Sequence, residues 1–171
     1  ERRAGRVAVG LEGGAVIFGA AATEGGHPGP ARPCSGALSH QDTYYRHNEA
    51  YAEFLAGWDA AFYGKYTDAL RPARAGGRIL DVGCGVGQVV GRLSADGVEA
   101  HGVEISEPNV ERARQVCPRV QWYDGRRLPF PDGHFSAAGT LNVLEHVDEP
   151  EAFLAEIVRV VEPGGRVVVS S

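Results

Sequence analysis

The 171-residue sequence has no methionine and a single lysine, Lys65. Its 17 Lys+Arg are outnumbered by 22 Asp+Glu, and no basic stripe forms, which argues against an electrostatic nucleic-acid surface and for small-molecule ligands. Cysteine is scarce as well. Cys34, Cys84 and Cys117 are odd in number, widely spaced and without a C-x-x-C pair, so neither a disulfide framework nor a metal site is expected, and a reducing, cytoplasmic setting fits. Long hydrophobic runs are missing too. Arg2, Arg3 and Arg6 ahead of residues 7–22 resemble the start of a signal peptide, but Glu12 and four glycines interrupt that run, and a bilayer span needs ~20 apolar residues. No membrane span is expected. The chain opens on Glu1 without an initiator Met, from which a fragment or a trimmed product is expected. What remains is an ordinary globular composition, 43% apolar and 23% charged. A chain of this length buries roughly 70% of its unfolded surface and needs no covalent staple.

Three stretches divide the chain. Residues 1–40 hold nine Gly and three Pro and keep no helical period. They read either as a hairpin of residues 6–11 and 15–20 around Gly13-Gly14, or as the tail of a preceding domain, followed by a linker over residues 24–36. Residues 41–76 form a helical cap. Tyr51, Phe54, Leu55, Trp58, Phe62, Tyr66 and Leu70 recur at steps of three and four, and Pro72 with Gly76-Gly77 ends the pattern. Tyr44 and Tyr45 fall outside that period and are candidates for a lid over a substrate.

From residue 77 to 171, short apolar runs alternate with amphipathic stretches. Strands are expected at residues 78–82, 98–104, 119–123, 135–141 and 166–170. A helix carries Val86, Val89, Val90 and Leu93, a second starts after Ser106 as N-cap and runs through Val116, and a third carries Phe153, Leu154, Ile157, Val158 and Val161. Alternation of this kind requires right-handed crossovers and gives an α/β, doubly wound parallel sheet with helices on both faces.

Where the first strand meets the first helix, the chain reads Asp81-Val82-Gly83-Cys84-Gly85-Val86-Gly87. Ligands of such sheets lie outside the carboxyl ends of the strands. The dinucleotide pattern G-x-G-x-x-G fails in both registers, because Gln88 and Val90 occupy the third-glycine positions. That disfavours a nicotinamide-dependent oxidoreductase. An acid ahead of the turn repels a pyrophosphate but suits a ligand that presents an ammonium, such as a nucleoside carrying an amino acid. Glu104, 21 residues after Gly83, ends the second strand, where a carboxylate can accept hydrogen bonds from ribose hydroxyls. Asp124, before Gly125, could accept from an adenine amine or make an Asx-turn.

Residues 79–88 (ILDVGCGVGQ), 101–106 (HGVEIS), 128–135 (LPFPDGHF), 142–148 (NVLEHVD) and 159–165 (RVVEPGG) resemble the successive motifs of class I S-adenosylmethionine-dependent methyltransferases. The pattern is similar to the small-molecule branch that includes ubiquinone and menaquinone biosynthesis methyltransferases. The resemblance implies a Rossmann-like core with S-adenosylmethionine as cofactor and a small-molecule acceptor. It places Asp81 near the methionine amino group, the backbone at Gly83 and Gly85 against the cofactor, and Glu104 on the ribose. Cys84, in the same turn, is then counted with the cofactor contacts, as a small packing residue rather than a nucleophile. The resemblance also implies that Ile105 packs on adenine, that Asp124 and Gly125 contact it, and that the backbone at Leu141 and Asn142 lines the cofactor.

For an acceptor that must lose a proton, His146 is the candidate base, with packing beside the cleft as the alternative. Glu145 divides between substrate contact and helix-dipole complement. The segment Asn142-Val143-Leu144-Glu145 lacks the Pro-Pro-aromatic of amino-methylating enzymes that act on flipped bases. A non-catalytic module that binds the cofactor or a partner is the alternative of a different class. Complete domains of the family have seven strands in the order 3-2-1-4-5-7-6. A sequence ending at Ser171 is therefore expected to lack the last two, to leave Val167-Val168-Val169 on an unpaired edge, and to be poorly active.

Overall fold

The computed structural model describes residues 10–12, 15–19, 53, 60–72 and 75–170. Among them, strands β1 (Gly10–Glu12), β2 (Ala15–Gly19), β3 (Arg78–Val82), β4 (Glu99–Glu104), β5 (Val120–Trp122), β6 (Phe135–Leu141) and β7 (Val161–Ser170) form one seven-stranded sheet. Its order is β1-β2-β7-β6-β3-β4-β5. The five strands β3 to β7 are parallel, while β1 and β2 are antiparallel to their neighbours. The described helices are α1 (Ala60–Leu70), α2 (Gln88–Ala95), α3 (Glu107–Arg114) and α4 (Pro150–Val160), with a 3-10 turn at Leu144–His146. Tyr44, Tyr45, Tyr51 and Trp58, the proposed lid and the start of the apolar stripe, lie outside the described residues.

Each central strand is buried on both faces, so it reads as a continuous apolar run. Alternate residues separate into two cores. Ile79, Ala137 and Val168 pack with Tyr66 and Leu70 of α1, Val90 and Leu93 of α2, and Val110 and Ala113 of α3. Leu80, Val82, Ala138, Val167 and Val169 pack on the other side with Phe153, Ile157 and Val160 of α4.

The edge of β7 departs from the sequence expectation. Val167, Val168 and Val169 are not unpaired: they pair antiparallel with Phe18, Ile17 and Val16 of β2. The hairpin from the glycine-rich N-terminal stretch supplies the backbone donors and acceptors that the strand edge needs. Boundaries differ as well, by one or two residues at several element ends and by more at β7. Strand β7 begins at Val161 rather than after the Pro163-Gly164-Gly165 turn, and its pairing with β6 shifts register between Phe135 and Ala137, which absorbs the turn as an irregularity within the strand. Helix α3 ends at Arg114, two residues short of Val116, where the Val116 and Cys117 amides both close on the Ala113 carbonyl.

Candidate cofactor site

The turn after β3 holds the first group of candidate residues. Gly83, Gly85 and Gly87 all have positive φ, at 77°, 54° and 90°. A side chain is excluded at Gly83 on steric grounds too, since a Cβ there would lie 2.4 Å from Val143 Cγ2. That contact brings the segment after β6, where Asn142 and Val143 sit, directly onto the glycine turn. The turn is tied down from β4: the Gly83 and Cys84 amides donate to the Val103 carbonyl at 2.9 and 3.1 Å.

Glu104, buried at the end of β4, reaches the same turn. Its Oε2 accepts from the Gly85 amide at 2.9 Å, and its Oε1 accepts from the Ile105 and Ser106 amides at 2.8 and 3.0 Å. Three backbone donors therefore fix one carboxylate between the glycine turn and the start of α3. Ser106 holds the N-cap position, as its place before Pro108 suggested, but its side chain makes no cap hydrogen bond.

Asp81 lies at the inner end of the turn, 3% exposed. Its carboxyl Oδ1 accepts from the Tyr66 hydroxyl at 2.7 Å. Burial pushes its pKa up to about 7, the Tyr66 hydrogen bond opposes the rise, and the negative charge of Glu104 adds to it. No cation figures among these causes. An acid buried without a cation beside it among the described residues is a fit for a ligand that brings a positive charge of its own. Cys84 is buried beside it, and burial with the nearby acids drives its thiol pKa well up, so it remains a protonated packing group.

The outer candidates are more exposed. Asp124 Oδ1 accepts from the Arg126 and Arg127 amides at 2.9 and 3.3 Å, which is the Asx-turn alternative in place, and Gly125 follows at φ 83°. Ile105, half-buried, is held by the Trp122 indole, whose N–H donates to the Ile105 carbonyl at 2.9 Å. Leu141 ends β6, and Asn142 after it has φ 52°, with its amide donating to the Ser170 carbonyl at 2.8 Å. His146 is half-buried at the end of the 3-10 turn, its amide donating to the Val143 carbonyl at 2.8 Å. Glu145 is exposed.

Tyr66 and Trp122 are not among the site residues that the sequence marks. Tyr66 sits in phase with the apolar stripe of its helix, which conceals a hydroxyl behind a packing pattern. Trp122 precedes Tyr123 at the end of a short strand and carries no motif signal.

The parallel sheet, the acid-flanked glycine turn and the acid ending the next strand are together the features that a nucleoside ligand with a cationic end would require of a site. The profile described as a methyltransferase domain matches residues 80–169, more than half of the chain, and the chain belongs to that family. It is 38% identical over 104 residues to a 27-O-demethylrifamycin SV methyltransferase of Amycolatopsis mediterranei (strain S699), covering 56% of this chain and 38% of that protein. It is 37% identical over 99 residues to the demethylmenaquinone methyltransferase of Tropheryma whipplei (strain Twist), covering 56% and 41%. Among solved structures, the [4+2]-cyclase SpnF superposes with a TM-score of 0.54 at 36% identity, over 61% of this chain and 43% of that one. The chain thus spans about two fifths of the length of these relatives. The family's cofactor is S-adenosylmethionine, and the buried Asp81 and the glycine turn suit its ammonium and its backbone approach.

Proposed function

We propose that this chain binds S-adenosylmethionine and transfers its methyl group to a small-molecule acceptor, by O-, C- or N-methylation. The observation that carries the reading is Asp81, buried in the sheet at the glycine turn with its pKa raised to about 7 and, among the described residues, no cation influencing it. When bound, the cofactor supplies an activated methyl group. The chain's own part is to bind and align. In this reading Asp81 holds the amino group, Glu104 the ribose, and Ile105 with Asp124 and Gly125 the adenine. The backbone at Gly83, Cys84, Gly85, Leu141 and Asn142 closes around the ligand, and His146 takes the proton of an acceptor that loses one. Residues 77–171 form the cofactor-binding core, residues 41–76 a helical cap, and residues 1–40 an N-terminal segment whose strands join the core sheet.

Calorimetric titration with S-adenosylmethionine, with NAD as the comparison, tests the reading. Micromolar binding of S-adenosylmethionine alone, lost in an Asp81→Ala, Glu104→Ala double variant, is the expected result. A folded chain that binds NAD instead overturns it. For a proton-bearing acceptor, His146→Gln is expected to lower kcat by about 10²–10⁴-fold with little change in KM.

A second reading, binding without methylation, is favoured by one observation: the structure that is 36% identical is described as a [4+2]-cyclase. Transfer of radiolabelled methyl from S-adenosylmethionine into a small-molecule fraction separates the two.

A further inference from the structure

The carboxyl of Asp81 is held by a residue outside the segment matched by the family profile. Tyr66 belongs to α1, and its hydroxyl donates to Asp81 Oδ1 at 2.7 Å with both residues buried. The approach depends on two glycines. Asp81 is in register with Gly139 on β6 and with Gly102 on β4. A Cβ at position 139 would lie 2.7 Å from the Tyr66 hydroxyl oxygen, and one at position 102 would lie 2.7 Å from Cys84 Sγ. The acid therefore stands in a row of the sheet whose flanking positions lack side chains. The phenol hydroxyl enters the gap on one side and the thiol the gap on the other. The ring of Tyr66 is itself seated in the core formed by Leu70, Ile79, Ala137 and Val168, so its hydroxyl cannot swing away without unpacking that core.

We infer that Tyr66 is a positioning residue of the cofactor site, fixing the Asp81 carboxyl in the slot between Gly102 and Gly139 and keeping it ionised to receive the ligand's ammonium. The inference deepens the proposed function and rests on it for the identity of the ligand. Among the described residues, the groups facing Asp81 are Tyr63 and Tyr66 from α1, Cys84 from the turn and Glu104 from β4. Burial and the charge of Asp81 raise Tyr63 to about 12 and move Tyr66 upward as well, and burial raises Cys84, so all three are neutral near pH 7. Glu104 pushes the Asp81 pKa up. Tyr66 is the group that pulls it down, because a donated hydrogen bond favours the charged acceptor. Removal of the hydroxyl must therefore shift Asp81 toward its protonated form, which cannot pair with an ammonium.

The test has two parts, both on the full chain. First, carbon NMR follows the Asp81 carboxyl from pH 5 to 9 without ligand, in the wild type and in Tyr66→Phe. The Asp81 midpoint is expected to rise by about one unit, a tenfold increase in proton affinity. An unchanged midpoint overturns the inference. Second, the affinity for S-adenosylmethionine is measured across the same range. Tyr66→Phe is expected to lose about fivefold at pH 7 and to recover toward the wild type by pH 9, as follows from a one-unit shift of a group that titrates near 7. A loss independent of pH would mark Tyr66 as packing alone and overturn the inference. If the midpoint shifts but the wild type binds no S-adenosylmethionine at any pH, the ligand assignment fails and the link between Tyr66 and Asp81 stands. Should Tyr66→Phe not fold, ring-carbon labelling of tyrosine in the wild type decides: the Tyr66 signal must move with the Asp81 midpoint, and a flat signal overturns the inference.

Discussion

Asp81 destabilises the free protein at the pH where it is proposed to bind a cation. Its folded pKa is raised to about 7 from an ordinary value near 4, so the folded state binds the proton more tightly than the unfolded chain does. The stability that goes with protonation is complete below the unfolded value and is lost as pH rises through about 7. Asp81→Asn, which keeps an acceptor for the Tyr66 hydroxyl and removes the charge, is therefore expected to be more stable than the wild type at pH 8. The desolvated amide offsets part of the gain, leaving about 2 kcal/mol, or roughly 4–8 °C in Tm for a chain of this size. The advantage should shrink steadily toward pH 4, while affinity for S-adenosylmethionine is lost. Thermal melts at pH 8 and pH 4 check this, and a constant difference at both pH values would mean that the acid is not held as described. At this scale the sequence was legible where chemistry follows spacing. Asp81, the three glycines and Glu104 are marked by position relative to the strand ends, and the structure brings them into one turn joined by the Gly85–Glu104 hydrogen bond. Tyr66 was not legible, because a hydroxyl in an apolar stripe shows its role only when Gly139 is seen across from it.

The elements around the site are joined by Arg159, which explains why two of the motifs occur together. From α4 its guanidinium donates to the Leu128 and Phe130 carbonyls at 3.0 and 2.8 Å and to Asp132 at 2.8 Å. It also pairs with Glu156 one turn earlier, at 2.8 and 2.7 Å, and Glu156 in turn accepts the Leu128 amide at 3.0 Å. The Leu-Pro-Phe-Pro-Asp loop before β6 has few backbone donors to spend on a sheet, because two of its residues are proline, and this clamp replaces that missing ladder. Burial alone would raise the Glu156 pKa, but the Arg159 and Leu128 hydrogen bonds hold it below the usual carboxylate range. The contribution of that acid is present above its ordinary pKa and is lost as pH falls through the lowered value. Arg159→Lys keeps the charge and removes the planar fork, so it tests geometry rather than charge. It is expected to cost about 2 kcal/mol, with the largest rise in amide hydrogen exchange over residues 128–132. Uniform exchange across the chain would show that the clamp does not hold the loop. From sequence, the helix was readable by its apolar period and the loop as one motif of the family resemblance. The bonds between them were not, since nothing in either segment states the other as its partner.

At the scale of the whole molecule, the same contrast between local and distant signals decides what could be read. Strand and helix alternation from residue 77 onward follows from local periodicity, and the structure repeats it, with shifts of one or two residues at most element ends and of five at the start of β7. The closure of the sheet does not follow from local signals, because β2 and β7 are more than 140 residues apart in the chain. A strand edge carries half-used backbone groups along its length, and Val167, Val168 and Val169 would make that edge both apolar and β-prone. Five registered pairs with β2 cover it, and the three-residue β1 leaves a short outer edge in its place. Deletion of residues 1–19 is therefore expected to convert a covered edge into a template for association. The measurement is light scattering after size-exclusion chromatography, over a range of protein concentration and alongside the intact chain. Concentration-dependent growth confined to the deletion variant is the expected outcome. Because the proposed cofactor residues lie on or after β3, β4, β5 and β6, away from the β1-β2 edge, the monomeric fraction of that variant should still bind S-adenosylmethionine. A deletion variant that stays monomeric at all concentrations would show that the hairpin is dispensable to the edge, and loss of binding by a folded monomer would show that the hairpin supports the site itself.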